Sequence, residues 1–231
     1  MCYIKDNCYL SDTCKVETCT YIDKDDTCLR FFKIDFLLNK SLITEKHKQE
    51  IKLILDADGT DREEFEKLSE LQKNIKSFIK EGNNLYICSC IPGNGKTSWA
   101  IKLLKSYIYK IWPESKLECK ALFINVPKFL LELKSNISKH SDYIEYINDN
   151  VLQADLVIWD DIATKATTEF EHEHLLSLLD NRLINNKSNI FTSNILPENL
   201  SMLVGDRLAS RINQSMIIKF SGKDKRGVLN R

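Results

Sequence analysis

Ser89-Cys90-Ile91-Pro92-Gly93-Asn94-Gly95-Lys96-Thr97 lies between an apolar run, Leu85-Tyr86-Ile87-Cys88, and an amphipathic stretch over 98–111. Against the phosphate-binding pattern G-x-x-x-x-G-K-[ST], Gly95, Lys96 and Thr97 fit, and Cys90 holds the place of the first glycine. The chemistry explains which positions matter. Gly93 and Gly95 let the backbone curl so that successive N–H groups face an anion, and a helix starting near Lys96 adds its positive end. Lys96 is expected to reach the β- and γ-phosphates of ATP, and the Thr97 hydroxyl to coordinate Mg²⁺. Pro92, Asn94 and Ser98 complete the expected nucleotide contacts. The plainer readings are a chance Gly-rich turn or a relic loop that no longer binds; strand, loop and helix in that order favour a working site.

Outward from this loop, short apolar runs alternate with amphipathic stretches. Leu85-Tyr86-Ile87-Cys88, Ala121-Leu122-Phe123-Ile124, Leu156-Val157-Ile158-Trp159, Asn189-Ile190-Phe191-Thr192 and Met216-Ile217-Ile218-Lys219-Phe220 read as buried strands. Helical patterns over 98–111, 128–134, 169–183 and 207–212 separate them, which predicts a parallel sheet covered on both faces. Upstream, residues 41–81 are charged and helical in pattern, with Leu68, Leu71, Ile75, Phe78 and Ile79 on one face. Thr60 with Glu63 three residues on predicts a capping box there.

The third run ends in Asp160-Asp161. At the C-terminal edge of a parallel sheet, Asp160 is expected beside the Mg²⁺ held by Thr97, and Asp161 where it orients or deprotonates an attacking water. An acidic turn after a core strand is the bland alternative. The fourth run ends at Asn194, a candidate to bond the water or the γ-phosphate, or an ordinary strand exit. Arg207 and Arg211 lie one helical turn apart; an arginine offered to a neighbour's γ-phosphate stabilises developing charge, against a solvated helix face.

Taken in order, Pro92 to Thr97, Asp160-Asp161, Thr192-Ser193-Asn194 and Arg207-Leu208-Ala209-Ser210-Arg211 resemble the AAA+ helicase loaders of the DnaC/DnaI type, and the related IstB transposition ATPases and DnaA initiators, over about residues 70–226. The resemblance implies an α/β P-loop NTPase of the AAA+ kind, a three-layer parallel sheet over 82–231. It also implies an ATPase that binds a replicative DnaB-type helicase and helps place it on single-stranded DNA during DNA replication. In that light Asp160 is similar to the metal carboxylate, Asp161 to the catalytic acid in a slot where many relatives have Glu, Asn194 to the first sensor and Arg211 to the arginine finger, which requires self-assembly. The slot after the second strand, where relatives touch DNA, holds Lys128, Phe129, Lys134 and Lys139: phosphate contacts and a stacking ring, or a core ring with solubilising charges. About ten residues follow the last strand, so the helical lid of larger relatives is expected to be missing, with Lys223, Lys225 or Arg226 left to replace a second sensor arginine.

Five of the eight cysteines fall in residues 1–40. Cys8, Cys14, Cys19 and Cys28 suit a structural Zn²⁺ that staples a small module, with surface thiols as the alternative; DnaI-like loaders carry such a zinc-binding, helicase-contacting module. Cys88, Cys90 and Cys119 read as core or loop residues. The division expected is therefore a Cys-rich module over 1–40, a helical linker and helicase-contact region over 41–81, and the ATPase core. The net charge is zero, which excludes a basic nucleic-acid coat, and the absence of an apolar run of about 18 residues excludes a membrane span. Without a secretory leader pattern the chain is expected to be cytoplasmic. Asp56-Ala57-Asp58-Gly59-Thr60-Asp61 fails the calcium-loop spacing and His172-Glu173-His174 fails the zinc spacing, so both read as solvated helix features. The rivals to a loader are an IstB-like transposition helper, a nucleotide-binding adaptor with little hydrolysis, and a small-molecule P-loop kinase.

Overall fold

The five apolar runs form five strands, β1 (Leu85–Cys88), β2 (Ala121–Asn125), β3 (Leu156–Asp160), β4 (Ser188–Ser193) and β5 (Met216–Lys219). They make one parallel sheet in the order β2-β3-β4-β1-β5, with Leu85 opposite both Ile190 and Met216, and Asn125 opposite Asp160. The computed structural model describes residues 8, 10, 28–49, 51–56 and 58–226, so Cys14 and Cys19 of the expected zinc quartet lie outside the described residues. Among the described residues no helix is long and apolar enough to cross a membrane.

Alternate side chains of β1 to β4 feed two cores, as the pleat requires, whereas β5, expected to be buried, is an edge strand with Ile218 buried and Met216, Ile217 and Lys219 exposed. Leu85, Ile87, Leu156, Ile158 and Ile190 pack with α1 (Leu29–Lys40), α3 (Arg62–Lys73), α4 (Ile75–Lys80) and the central α5 (Lys96–Ile111). Tyr86, Leu122, Ile124, Val157, Trp159 and Phe191 face α6 (Val126–Ser135), α7 (Asp142–Val151), α8 (Glu169–Ile184) and α9 (Ser201–Asn213). The helix α1 thus shares the core of α5. Between them the short α2 (Glu45–Lys48) is pinned by the buried Lys105 of α5, whose ammonium donates to the carbonyls of His47, Lys48 and Gln49. A lysine cap of this kind satisfies C-terminal helix carbonyls that burial would otherwise orphan.

Several local expectations are corrected. The helical pattern over 62–80 is broken at Asn74 into two helices, although all five apolar positions are buried. Thr60 does not cap the first of them: its N–H turns back to Asp58, and Asp61 precedes the helix in a left-handed conformation (φ 64°) with its carboxylate engaged elsewhere. A reciprocal capping box instead starts α8, with Thr168 and Glu171 bonding each other's backbone N–H. The helix α7, with Ile144, Ile147 and Val151 buried along one face, was not foreseen. In α9 the helical run expected at 207–212 extends to Ser201 across a break at Gly205 (φ 75°, ψ 158°).

Candidate functional site

The loop after β1 carries the geometry its glycines imply. Gly93 and Gly95 take φ of 72° and 102°, and α5 begins at Lys96 directly behind Gly95. The buried Ser89 hydroxyl receives the Asn94 amide (2.6 Å) and the Ile91 N–H (3.0 Å), so the loop is braced from within. Lys96 Nζ donates to Ile91 O (3.1 Å) and Asn94 Oδ1 (3.2 Å). Burial pushes the Lys96 ammonium below its ordinary value, and the nearby Asp161, Cys88 and Asp160 work against that shift. Cys90 is exposed at the loop surface, whereas Cys88 and Cys119 are buried.

Asp160 ends β3 at the foot of this loop. Thr97 Oγ1 donates to Asp160 Oδ1 at 2.7 Å, Thr192 Oγ1 donates to the same oxygen at 2.8 Å, and the Asn125 amide reaches Oδ2 at 3.4 Å. Asp161 follows with φ 57°, a turn conformation that non-glycine residues adopt only when the surroundings hold them. Its N–H donates to Thr192 Oγ1 (3.0 Å). Burial raises the Asp161 carboxyl above the ordinary carboxylate value, the Asp160 charge adds to this, and Lys96 opposes it. One threonine hydroxyl therefore holds the Asp160 carboxylate and the backbone at Asp161. Thr192 enters the sequence reading only within the fourth run and the motif that ends at Asn194, and Asn125 not at all; both lie at the C-terminal ends of strands that neighbour β3.

A cavity of about 320 Å³ opens over the loop, lined by Pro92 to Ser98, Asp161 and Asn194 and walled by Leu53, Ile54, Phe65 and Arg226. The residues fit a nucleotide with Mg²⁺: a curled, glycine-bearing loop at a helix start, a buried cation, and hydroxyl and carboxylate oxygens of the hard type that ion takes. A roomier cleft of about 500 Å³ lies at the opposite edge of the sheet, but there Lys187 is paired with Asp155 and Lys76 with Glu114.

The remaining candidates fall away from the cavity walls. Arg211 pairs through Nε with Asp180 of α8 (2.7 Å), and Arg207 is exposed on the same helix. Phe129 is not available to stack on a base: it is fully buried in the core of α6, beside the His174 ring. Lys134 is bonded to the buried Glu171 (3.0 Å), Lys128 lies over the Tyr143 ring (4.4 Å), and Lys139 is exposed. The two decoys are solvated only in part, with Asp58 and Glu173 exposed. His172 and His174 are half-buried with Nε2 atoms out of water and unpartnered, and Asp61 is buried. Of the cysteine quartet, Cys28 is buried and caps α1, its Sγ receiving the Phe31 N–H at 3.4 Å, and Cys8 is half-buried against the core of α5.

The sequence profile of the bacterial DnaA ATPase domain matches residues 67–219, well over half the chain and the whole of the site from Pro92 to Arg211. The chain belongs to the bacterial DnaA ATPase domain family. No curated protein sequence matches it. Solved structures with the same fold include the DnaC helicase loader (22% identity, TM-score 0.53, covering 66% of this chain and 89% of that one) and DnaI (20%, 0.57, 74% and 88%). The replication initiator DnaA bound to AMPPCP and single-stranded DNA is also similar (18%, 0.55, 74% and 49%), so the chain spans about half the length of that DnaA. Membership of the DnaA family agrees with the parallel five-stranded sheet and with the AAA+ resemblance carried by the motifs.

Proposed function

We propose that the chain is a Mg²⁺-dependent ATPase that binds a replicative DnaB-type helicase and helps place it on single-stranded DNA. The observation that carries the ATP part is Thr97 Oγ1 at 2.7 Å from Asp160 Oδ1, beneath a glycine loop that holds Lys96. The loader part draws on the DnaA family and on the fold shared with the DnaC helicase loader.

In this reading the backbone N–H groups of residues 93–98 cradle the phosphates, and Lys96 leaves Ile91 O and Asn94 Oδ1 for the β- and γ-phosphate oxygens. Thr97 and Asp160 would hold Mg²⁺, which neutralises phosphate charge when bound. Asp161 takes the proton of the attacking water, its raised basicity suiting that role, and Asn194 orients the same water. Arg211 of a neighbouring copy meets the γ-phosphate. Cys8, Cys14, Cys19 and Cys28 bind Zn²⁺ in a module over 1–40 that, with the linker over 41–81, contacts the helicase. Lys128, Lys134 and Lys139 meet DNA phosphates, and the protein works in the cytoplasm.

Lys96→Ala tests the site. Phosphate release and nucleotide affinity are each expected to fall about tenfold or more, the scale of losing a charged hydrogen bond. Equal turnover in both proteins rejects the assignment, and tight binding without turnover in the wild type leaves the adaptor reading. Capture of a DnaB-type helicase by the full chain, with and without ATP, tests the loader; no capture in either state rejects it.

A further inference from the structure

After β5 the chain turns back over the phosphate loop. Phe220 N–H still donates to Cys88 O (2.9 Å), and then the path is taken over by a carboxylate from the segment before α3. Asp61 accepts the Ser221 N–H (2.7 Å), the Ser221 hydroxyl (2.9 Å) and the Gly222 N–H (2.8 Å). A side chain at Gly222 would place its Cβ 2.5 Å from Asp61 and 2.6 Å from Asp56, so the two acids close over a glycine. The Lys225 ammonium is buried: it donates to Ile54 O (2.6 Å), lies 3.7 Å from Asp56 Oδ2 and stacks over the Phe65 ring.

The far end of this segment grips the loop itself. Lys225 N–H donates to Gly93 O (3.0 Å), and a Cβ on Gly93 would come 2.0 Å from Asp224 Oδ1 and 2.6 Å from Arg226 Nε. Gly93 lies against the Asp224 and Arg226 side chains, and its positive φ is what calls for glycine. Arg226 pairs with Asp224 (2.6 Å) and lines the cavity beside Lys96 and Thr97. Residues 221–226 hold three cations, Lys223, Lys225 and Arg226, against one carboxylate, Asp224. Such a segment over the mouth of a phosphate site attracts the anion it covers.

We propose that residues 221–226 are a strap, clamped by Asp61 and Asp56 and bonded to Gly93, that presents Arg226 to the phosphates of a bound nucleoside triphosphate. The inference rests on the nucleotide reading above. By linkage, whatever holds the strap down raises nucleotide affinity, and bound nucleotide holds the strap down by the same factor. The clamp acids lie in the segment before α3, so a partner that pulled on that segment would loosen nucleotide.

The test uses the full chain, a non-hydrolysable ATP analogue with Mg²⁺, and AMP as a ligand without a γ-phosphate. Tryptic cleavage after Lys223 and Arg226 is expected to slow several-fold with the analogue. Asp61→Gly keeps the left-handed backbone unstrained and removes the clamp; it should cleave faster and bind the analogue more weakly. Arg226→Ala, at an exposed position, should lose about tenfold in analogue affinity, the scale of one charged hydrogen bond, and little for AMP. If Asp61→Gly fails to fold, Arg226→Ala and the protection assay still decide. A wild type that binds the analogue tightly while both variants match it, or while cleavage is indifferent to it, overturns the strap alone. A wild type that binds no nucleotide removes both readings.

Discussion

Asp160 does not meet the loop by itself; it is aimed by hydroxyls from two other elements, Thr97 on α5 and Thr192 on β4. Thr192 also receives the Asp161 N–H, so one hydroxyl ties the backbone at Asp161 to the Asp160 carboxylate. Thr192→Val keeps the shape and removes these bonds. Turnover is expected to fall about tenfold to a hundredfold, the usual effect of losing a residue that orients a ligating carboxylate. Nucleotide affinity, carried by the loop, should stay within about twofold on the same argument. Steady-state turnover against equilibrium binding separates the two. Asp160 and Asp161 were legible in the sequence because their signal is contiguous: an apolar strand that ends in acid. Thr192 was not, because its partner is decided by which strand lies beside β3, and a strand order of β2-β3-β4-β1-β5 is not written in any local pattern.

At the scale of elements, periodicity found the five strands and the long helices, where many apolar residues vote together. It failed where one residue decides. Asn74 splits a continuous helical pattern, and Thr60 with Glu63 imitates a cap that the αL conformation of Asp61 replaces. Phe129 fitted a DNA-facing helix as well as a core helix, and only packing against the sheet and His174 chose between them. Gly205 is the sharpest case. It lies inside α9 at φ 75° and ψ 158°, a region open essentially to glycine, and a Cβ there would meet the His172 ring at 3.2 Å. Gly205→Ala is expected to destabilise the protein by about 1–3 kcal/mol. Urea unfolding with an unchanged slope would register it; a stability equal to wild type would mean that the break in α9 relaxes into a plain helix.

The molecule as a whole joins two segments distant in sequence at the site, the one before α3 by Asp61 and the one after β5 by Lys225, with α5 holding α2 through Lys105. No spacing rule links positions 61 and 222, so this closure was invisible in the sequence. Arg211 poses the complementary question, since it pairs with Asp180 on its own chain and lies outside the walls of its own cavity. If a neighbouring copy supplies it, Lys96→Ala and Arg211→Ala chains each lack a different half of every shared site. Mixed at equal concentration in a head-to-tail assembly, about a quarter of interfaces pair an intact Lys96 with an intact Arg211, by random placement of two subunit types. ATP turnover of the mixture is therefore expected to recover to about a quarter of wild type, although each variant alone is nearly inactive. Recovery should fade on dilution, because it depends on association. An arginine acting within its own chain gives no recovery at any mixing ratio, and an Arg211→Ala chain with full turnover alone would end its role in the chemistry.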